Sequence, residues 1–423
     1  MDFEQKEITD GISVVSVKSD QFKTNEISVC LATELSDNAS ANAVLLSLLS
    51  RKCEKYPSLL SMNRRLSNLY GASITPAVFK SGECQVLRLS ATCLDDRFSI
   101  DGESISFECA KLLCQMLFHP HLENGGFSSH DVEAEKRIIL QKIEAEENEK
   151  RTYVLRKAEE LMFEGEPYAI GRFGSKKQVK DVNCEDVFNA WKNLLSTAKI
   201  MITVVGTANP DELSAYITEE LNNISRNYKP LKKAVFVEKA DKVKEYMERI
   251  DVKQGKLVLG FRVNLKSDDE LTSAMRTFTD VFGGGPYSKL FANVREKMSL
   301  CYYCSARYNR QKSAIMIQCG CNEENMDKAV NEILNQLEII KKGDFDEELA
   351  SSKISLSDTL NSVNDAPDLL SAWYYMQIAD DEIKSPEMSA KLNSGVTKEQ
   401  VLKCASLISL DTIYKLSSPK EEK

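Results

Sequence analysis

Three histidines, His119, His121 and His130, all fall in "FHPHLENGGFSSHDVEAEK", beside Glu133 and Glu135. Imidazoles and carboxylates gathered this closely are the raw material of a metal site, which needs three or four convergent ligands. The local pattern favours a plainer reading, in which "HP" ends one helix, "ENGG" turns the chain and "SSHD" opens the next helix. Cys301 and Cys304 form a C-x-x-C, and Cys319 and Cys321 a C-x-C on a following strand. A C-x-x-C inside a strand points its two thiols to opposite faces, and no knuckle glycine follows either pair, so core cysteines are expected rather than a zinc knuckle. The run Gly283, Gly284, Gly285 in "FGGGPYSKLF" lacks the G-K-[ST] ending of a phosphate loop. Consecutive glycines give an open backbone, so a hinge or a loop able to approach another chain is the expectation. No G-x-S-x-G elbow and no supported Cys/His pair is present, so the chain offers no complete catalytic set.

The elements that would position these residues come in two copies. "VLRLSATC" (86–93) alternates Leu87, Leu89, Ala91 and Cys93 with Arg88, Ser90 and Thr92, the period of a half-buried strand. An ungapped offset of 228 lays this segment on "AIMIQCGC" (314–321), pairing Leu87 with Ile315 and Cys93 with Cys321. The same offset lays "RRLSNLYGAS" (64–73) on "ANVREKMSLC" (292–301), each a helix running into a strand. An amphipathic helix follows in each half (106–120 and 326–343), then a helix with an acidic first turn (130–147 and 344–360). "KIMITVVGTANPDEL" (199–213) reads as a buried strand, a glycine turn and a helix start that close the first half. Duplication implies two similarly folded domains rather than one long one. The expected division is a first domain over 1–224, a charged linker with a first strand over 225–254, and a second domain over 255–423. The fold class is α+β, each domain an antiparallel or mixed sheet with helices packed on one face.

Composition sets the outer limits. The chain has 423 residues, 42% hydrophobic and 28% charged, enough apolar material for folded cores and too much length for a single one. A net charge of −9 argues against a nucleic-acid partner, whose phosphates ask for a basic stripe. No apolar run approaches the ~20 residues of a membrane helix, and the first residues show no secretion signal, so a cytoplasmic location is expected. The twelve cysteines are scattered through apolar segments, which fits reduced thiols in a reducing compartment.

With the duplication, "FGGGPYSKLFANVREKMSLCYY" (282–303) resembles the M16 family of zinc metallopeptidases, the group of pitrilysin and the mitochondrial processing peptidase. The family pattern G-G-x-x-S-x-L-F, R-E-x-x-x-L-x-Y stands here as Gly284, Gly285, Ser288, Leu290, Phe291, Arg295, Glu296, Leu300 and Tyr302. "LYGASI" and "YAIGRFGSKKQVKDVNCEDVFNAW" (168–191) extend the resemblance over nearly the whole chain. It implies two domains of the LuxS/MPP-like type joined by the linker into a clamshell.

In active members of the family an H-x-x-E-H helix supplies two zinc ligands and the base, and a distal Glu completes the metal shell. The motif precedes a segment like "EKYPS", which aligns Ala43, Leu46 and Ser47 with His, Glu and His. The distal Glu falls on Lys142, or on Gln141 one residue away. No histidine lies between Met1 and Phe118, so no shift of register restores the ligands. The resemblance implies no metal and no cofactor, and no catalysis by this chain alone. It also implies that Arg295 and Tyr302 hold a substrate backbone, since both side chains donate to peptide carbonyls. The implied partner is a zinc-bearing M16 subunit in a heterodimer, with a peptide as substrate and with no nucleic acid or membrane. Among zinc-less members the likeness is to bacterial subunits associated by family name with elongation factor P modification. Two alternatives stand beside this one: a structural scaffold subunit with no part in proteolysis, and a hydrolase with a relocated metal on His119, His121 and a carboxylate.

Overall fold

The computed structural model describes residues 2–222 and 224–419; Met1 and residues 420–423, at the ends of the two expected domains, lie outside the described residues. The chain divides into two compact units, each built around one mixed sheet. Unit 1 comprises 1–143, 170–233 and 362–386, and unit 2 comprises 144–169, 234–361 and 387–423.

Unit 1 contains β1 (Phe3–Thr9), β2 (Ile12–Lys18), β3 (Thr24–Glu34), β4 (Ser73–Ser81), β5 (Cys84–Leu94) and β6 (Lys199–Gly206), ordered β1-β2-β6-β3-β5-β4. The β2/β6 pair is parallel, and the other neighbours are antiparallel. Helices in this part of the chain are α1 (Ala39–Leu49), α2 (Leu59–Asn68), α3 (Ile105–Phe118), α4 (Ser129–Asn148), α5 (Lys150–Met162), α6 (Lys176–Asp181), α7 (Cys184–Thr197) and α8 (Pro210–Asn222). All but α5 serve unit 1, and their apolar faces join Ile27, Val29, Leu31, Leu87 and Leu89 of the sheet in one large core.

Unit 2 contains β7 (Lys244–Arg249), β8 (Lys256–Val263), β9 (Tyr303–Asn309), β10 (Ala314–Gly320) and β11 (Ile408–Ser417), ordered β7-β11-β8-β10-β9, with only the β11/β7 pair parallel. Its main core joins that sheet to α9 (Thr272–Gly283), α10 (Glu323–Lys341), α11 (Asp346–Asn361) and α14 (Lys398–Ser406). The two remaining helices are α12 (Pro367–Tyr375) and α13 (Pro386–Ser394).

Each sheet carries its helical layer on one face, and the opposite face is covered as well, by a single helix from the other half of the sequence. In unit 1, Leu370, Tyr374 and Tyr375 of α12 pack on Val15, Val17, Cys30, Val86 and Met201. In unit 2, Val154, Ala158 and Met162 of α5 pack on Val258, Ala314, Met316 and Tyr414. The strand at 86–93, expected to be half-buried, is therefore buried on both faces along most of its length. Its polar positions explain why its pattern looks solvated: Arg88 donates to the Tyr375 hydroxyl at 2.9 Å and lies over that ring. On neighbouring strands Ser28 and Thr203 share hydrogen bonds with Ser371 of α12.

Candidate functional site

The helix aligned with the family's zinc helix is α1, and all eleven of its residues are buried. A helix apolar on every side belongs inside a core, and the polar residues of α1 find partners there. Ser40 donates to the Phe173 carbonyl at 3.0 Å. Asn42 donates to the Gln85 side chain at 2.9 Å, and Gln85 donates to the carbonyls of Ala39 and Arg172. Ala43 and Leu46, at the positions of the first histidine and the base, are 1% and 2% exposed. Leu46 lines a small apolar cavity with Leu31, Leu45, Leu49, Leu87, Leu117 and Trp191.

Ser47, at the position of the second histidine, donates a short hydrogen bond to Glu135 of α4. The other oxygen of Glu135 takes Arg51 Nε at 3.2 Å. Lys142, at the distal Glu position, sits two turns further along α4. It is an exposed residue, yet lost hydration lowers its ammonium pKa; Glu135 opposes that, and Arg51 and Arg172 add to it by repulsion. Of these cations, Arg51 pairs with the carboxylate directly. A zinc ion needs several neutral or anionic donors, and here it would meet a single carboxylate already engaged by a hydroxyl and a guanidinium. The residues do not fit a metal.

Glu135, Arg51 and Arg172 complete this cluster, and the alignment alone did not point to them. Spacing could have found one of them: Glu135 precedes Lys142 by seven residues of α4, a separation that returns to the same helical face.

Arg295 and Tyr302 lie in unit 2. Arg295 belongs to a widened, π-type helix over Leu290–Lys297, in which Met298 donates to Asn293, five residues back; such turns are frequent at functional sites. Its guanidinium stacks on Phe291 at 4.4 Å and reaches Glu296 at 3.5 Å, with the side chain 40% exposed. Tyr302 is 63% exposed. Its backbone N–H donates to the Gly320 carbonyl, and among the described residues its hydroxyl has no hydrogen-bond partner. Between the two lies Cys301, on whose thiol the Arg295 charge acts.

Gly283 and Gly284 end α9 in helical geometry rather than opening a flexible loop. A Cβ on Gly283 would stand 2.6 Å from the Ala306 nitrogen of β9, so this glycine serves close helix-to-strand packing. Gly285 accepts from the Ser288 hydroxyl at 2.6 Å, and Tyr287 donates to Asp280.

Cys301 precedes β9 rather than lying in a strand, which removes the premise that its thiol faces away from that of Cys304. Cys304 and Cys319 stand directly opposite each other across β9 and β10. Hydrogen bonds with Cys304 and Cys319 lower the Cys301 thiol to about 4, while the same group of contacts raises Cys319. All four thiols belong to the unit 2 core, as expected, and all twelve cysteines of the chain are free. The histidines are dispersed among separate carboxylates: His119 with Glu220 at 2.8 Å, His121 with Glu123 at 3.8 Å and His130 with Asp131 at 3.6 Å. Among the described residues no group of three metal-binding side chains converges, and no helix is long and apolar enough to cross a membrane.

Two α+β units on one plan, the first carrying neither imidazole nor carboxylate at the positions aligned with the zinc helix, define a peptidase-like protein. The chain belongs to the M16 peptidase family. The family signature described as "Peptidase M16 inactive domain" matches residues 181–354. A Bacillus subtilis protein, "Probable inactive metalloprotease YmfF", is 30% identical over 407 residues, covering 96% of this chain and 95% of its own. Two solved structures share the fold: a conserved protein from Enterococcus faecalis V583 (TM-score 0.89, 23% identity, 100% of both chains) and a protease from Helicobacter pylori (TM-score 0.80, 15% identity, 99% of each).

Proposed function

We propose that this chain is the non-catalytic subunit of a heterodimeric, cytoplasmic M16-type peptidase, adding substrate-binding surface to a zinc-bearing partner. One observation carries the reading: the zinc-helix positions are sealed inside a core, while Arg295 and Tyr302 keep exposed, donor-bearing side chains. A guanidinium and a phenol hydroxyl both donate to peptide carbonyls, so the pair can fix an extended substrate backbone without itself doing chemistry. Water activation and peptide-bond cleavage then fall to the partner's H-x-x-E-H helix. By likeness to YmfF-type proteins the partner is a YmfH-type subunit, and modification of elongation factor P is the associated process.

The test is cleavage of a quenched fluorescent peptide by the reconstituted pair. Arg295→Ala and Tyr302→Phe are each expected to lower kcat/KM by about tenfold or more, the effect of losing one charge-assisted or well-placed hydrogen bond of about 1.4 kcal/mol or more. The chain alone is expected to be inactive. Unchanged kcat/KM in the double variant would leave the scaffold reading, and partner-free cleavage with bound zinc would establish a relocated metal.

A further inference from the structure

The hydrogen-bonding pattern of the unit 2 sheet brings two cysteines within bridging distance. Val263 of β8 donates to the Ser313 carbonyl at 2.8 Å, so at that end of β10 the backbone groups of residue 313 turn toward β8. Successive residues of an inner antiparallel strand turn to alternate neighbours, so Ile315, Ile317 and Cys319 also face β8. Gly320 shows the same phase, since its carbonyl accepts from Tyr302 on the β9 side at 2.8 Å. Cys304 and Cys319 are therefore a non-hydrogen-bonded pair, the kind whose Cα atoms approach to about 4.5 Å and whose side chains lie closest. A disulfide spans Cα separations from about 4.4 Å upward, so the two sulfurs can join with little movement of the strands. Both thiols are buried in the unit 2 core, whereas Cys301 beside them is 8% exposed, the largest value among the eleven buried cysteines. Its sulfur shares hydrogen bonds with both, and the Arg295 charge favours its thiolate. Thiolate character, an opening to small molecules and an adjacent resolving thiol are what an oxidisable cysteine requires. Cys93 and Cys109 of the unit 1 core also hydrogen bond with each other, but that contact and burial raise the Cys93 thiol, and neither residue has an opening.

We propose that hydrogen peroxide oxidises this site through Cys301 and that the product is a reversible Cys304–Cys319 disulfide across β9 and β10. The Cys301 thiolate attacks one peroxide oxygen, breaking the O–O bond and leaving a sulfenic acid and a hydroxide. Cys304 gives its proton to that hydroxide, making water, and its sulfur displaces a second hydroxide from Cys301 to form a disulfide. Cys319 gives its proton to the second hydroxide, and its sulfur attacks that of Cys304, expelling Cys301 as a thiolate. Two thiols and one peroxide thus become one disulfide and two waters, with two electrons passing from the pair to the peroxide. This modification site stands apart from the peptidase-subunit reading. Its cross-link lies two residues beyond Tyr302 and ties the edge strand β9 to its neighbour.

The experiment treats the reduced, folded full chain with hydrogen peroxide, then denatures it in N-ethylmaleimide and maps disulfides by mass spectrometry of its proteolytic peptides. The expected product is a peptide pair joined through Cys304 and Cys319, lighter by two hydrogens and restored by dithiothreitol, while Cys93 and Cys109 are recovered as alkylated thiols. Cys301→Ser is expected to slow the cross-link about tenfold or more, because attack then falls to thiols with less exposure and less thiolate. Cys319→Ser should halt the relay at a Cys301–Cys304 disulfide. A Cys304–Cys319 link that forms no faster than a Cys93–Cys109 link would mean oxidation of unfolded chains and would overturn the inference. So would a Cys301 that passes to sulfinic acid while Cys304 and Cys319 stay as thiols. Both of these outcomes are read on the unaltered chain, so they stand whether or not a serine variant folds.

Discussion

Leu46→Glu places a carboxyl at the position aligned with the family's general base, and its cost can be worked from the burial of the site. Leu46 is 2% exposed and lines an apolar cavity, with no cation among the lining residues. Losing leucine's burial costs about 2 kcal/mol. A glutamate carboxyl has an ordinary pKa near 4.3, and holding it protonated at pH 7 adds roughly 1.36 × (7 − 4.3), about 3.7 kcal/mol. The sum is about 6 kcal/mol at pH 7, comparable with the whole stability of an ordinary domain. The sign follows from linkage: the folded pKa is raised, so the second part of the cost is absent below about pH 4.3 and grows as pH rises toward the folded value. Both tryptophans of the chain, Trp191 and Trp373, lie in unit 1, so their fluorescence reports its unfolding in urea. Leu46→Glu is expected to cost about 2 kcal/mol at pH 4.5 and far more at pH 8, while Leu46→Met stays within about 1.5 kcal/mol of the parent. A Leu46→Glu variant as stable as the parent at pH 8 would refute the reasoning, because the position would then be solvated and fit to carry a base.

Two further outcomes are expected. Glu166→Gln should destabilise unit 2 by about 3–5 kcal/mol, the cost of breaking a buried ion pair; Glu166 pairs with Lys312 and Arg262, both at 2.7 Å and almost wholly buried, and hydrogen exchange of the β8 and β10 amides measures the loss. Glu26, 2% exposed in the unit 1 sheet, has its pKa raised by burial, with a hydrogen bond from Thr92 opposing. Its contribution is therefore present at low pH and lost as pH rises through the folded pKa. Glu26→Gln should remove that loss, so its Tm relative to the parent rises between pH 4 and pH 8.

The repeat was the legible part of this fold. The paired segments 86–93 and 314–321 are β5 and β10, and the helices placed after them are α3 and α4, then α10 and α11. Periodicity reports a strand's own faces, and both strands alternate clearly enough to be found. Helix α12, covering the opposite face of the unit 1 sheet, was not legible, because its sheet partners include Ser28, Thr203 and Arg88, residues that read as solvated until Ser371 and Tyr375 are brought to them from more than 160 residues away. At the site, an alignment that tracks lost ligands sees Ala43, Leu46, Ser47 and Lys142. It does not see Glu135 or Arg51, whose importance lies in what they touch. Cys301 misled for a local reason: the C-x-x-C was assigned to a strand that begins two residues later, at Tyr303.

The exchanged helices also set an order of events during synthesis. The unit 1 sheet is complete once β6 ends at Gly206, but its second face waits for α12, which ends at Tyr375. At about 5–20 residues per second the ribosome needs roughly 8–35 s to make the intervening stretch of chain. For that interval Val15, Val17, Val86 and Met201 are an uncovered apolar surface on a nascent protein. Helix α5 has the reverse problem, emerging long before β11, the last strand of the sheet it covers. A chain cut at the linker would yield two halves, each with a bare sheet face and a stranded helix, so the duplicated gene has become a single unit of folding that its two ancestral halves no longer are.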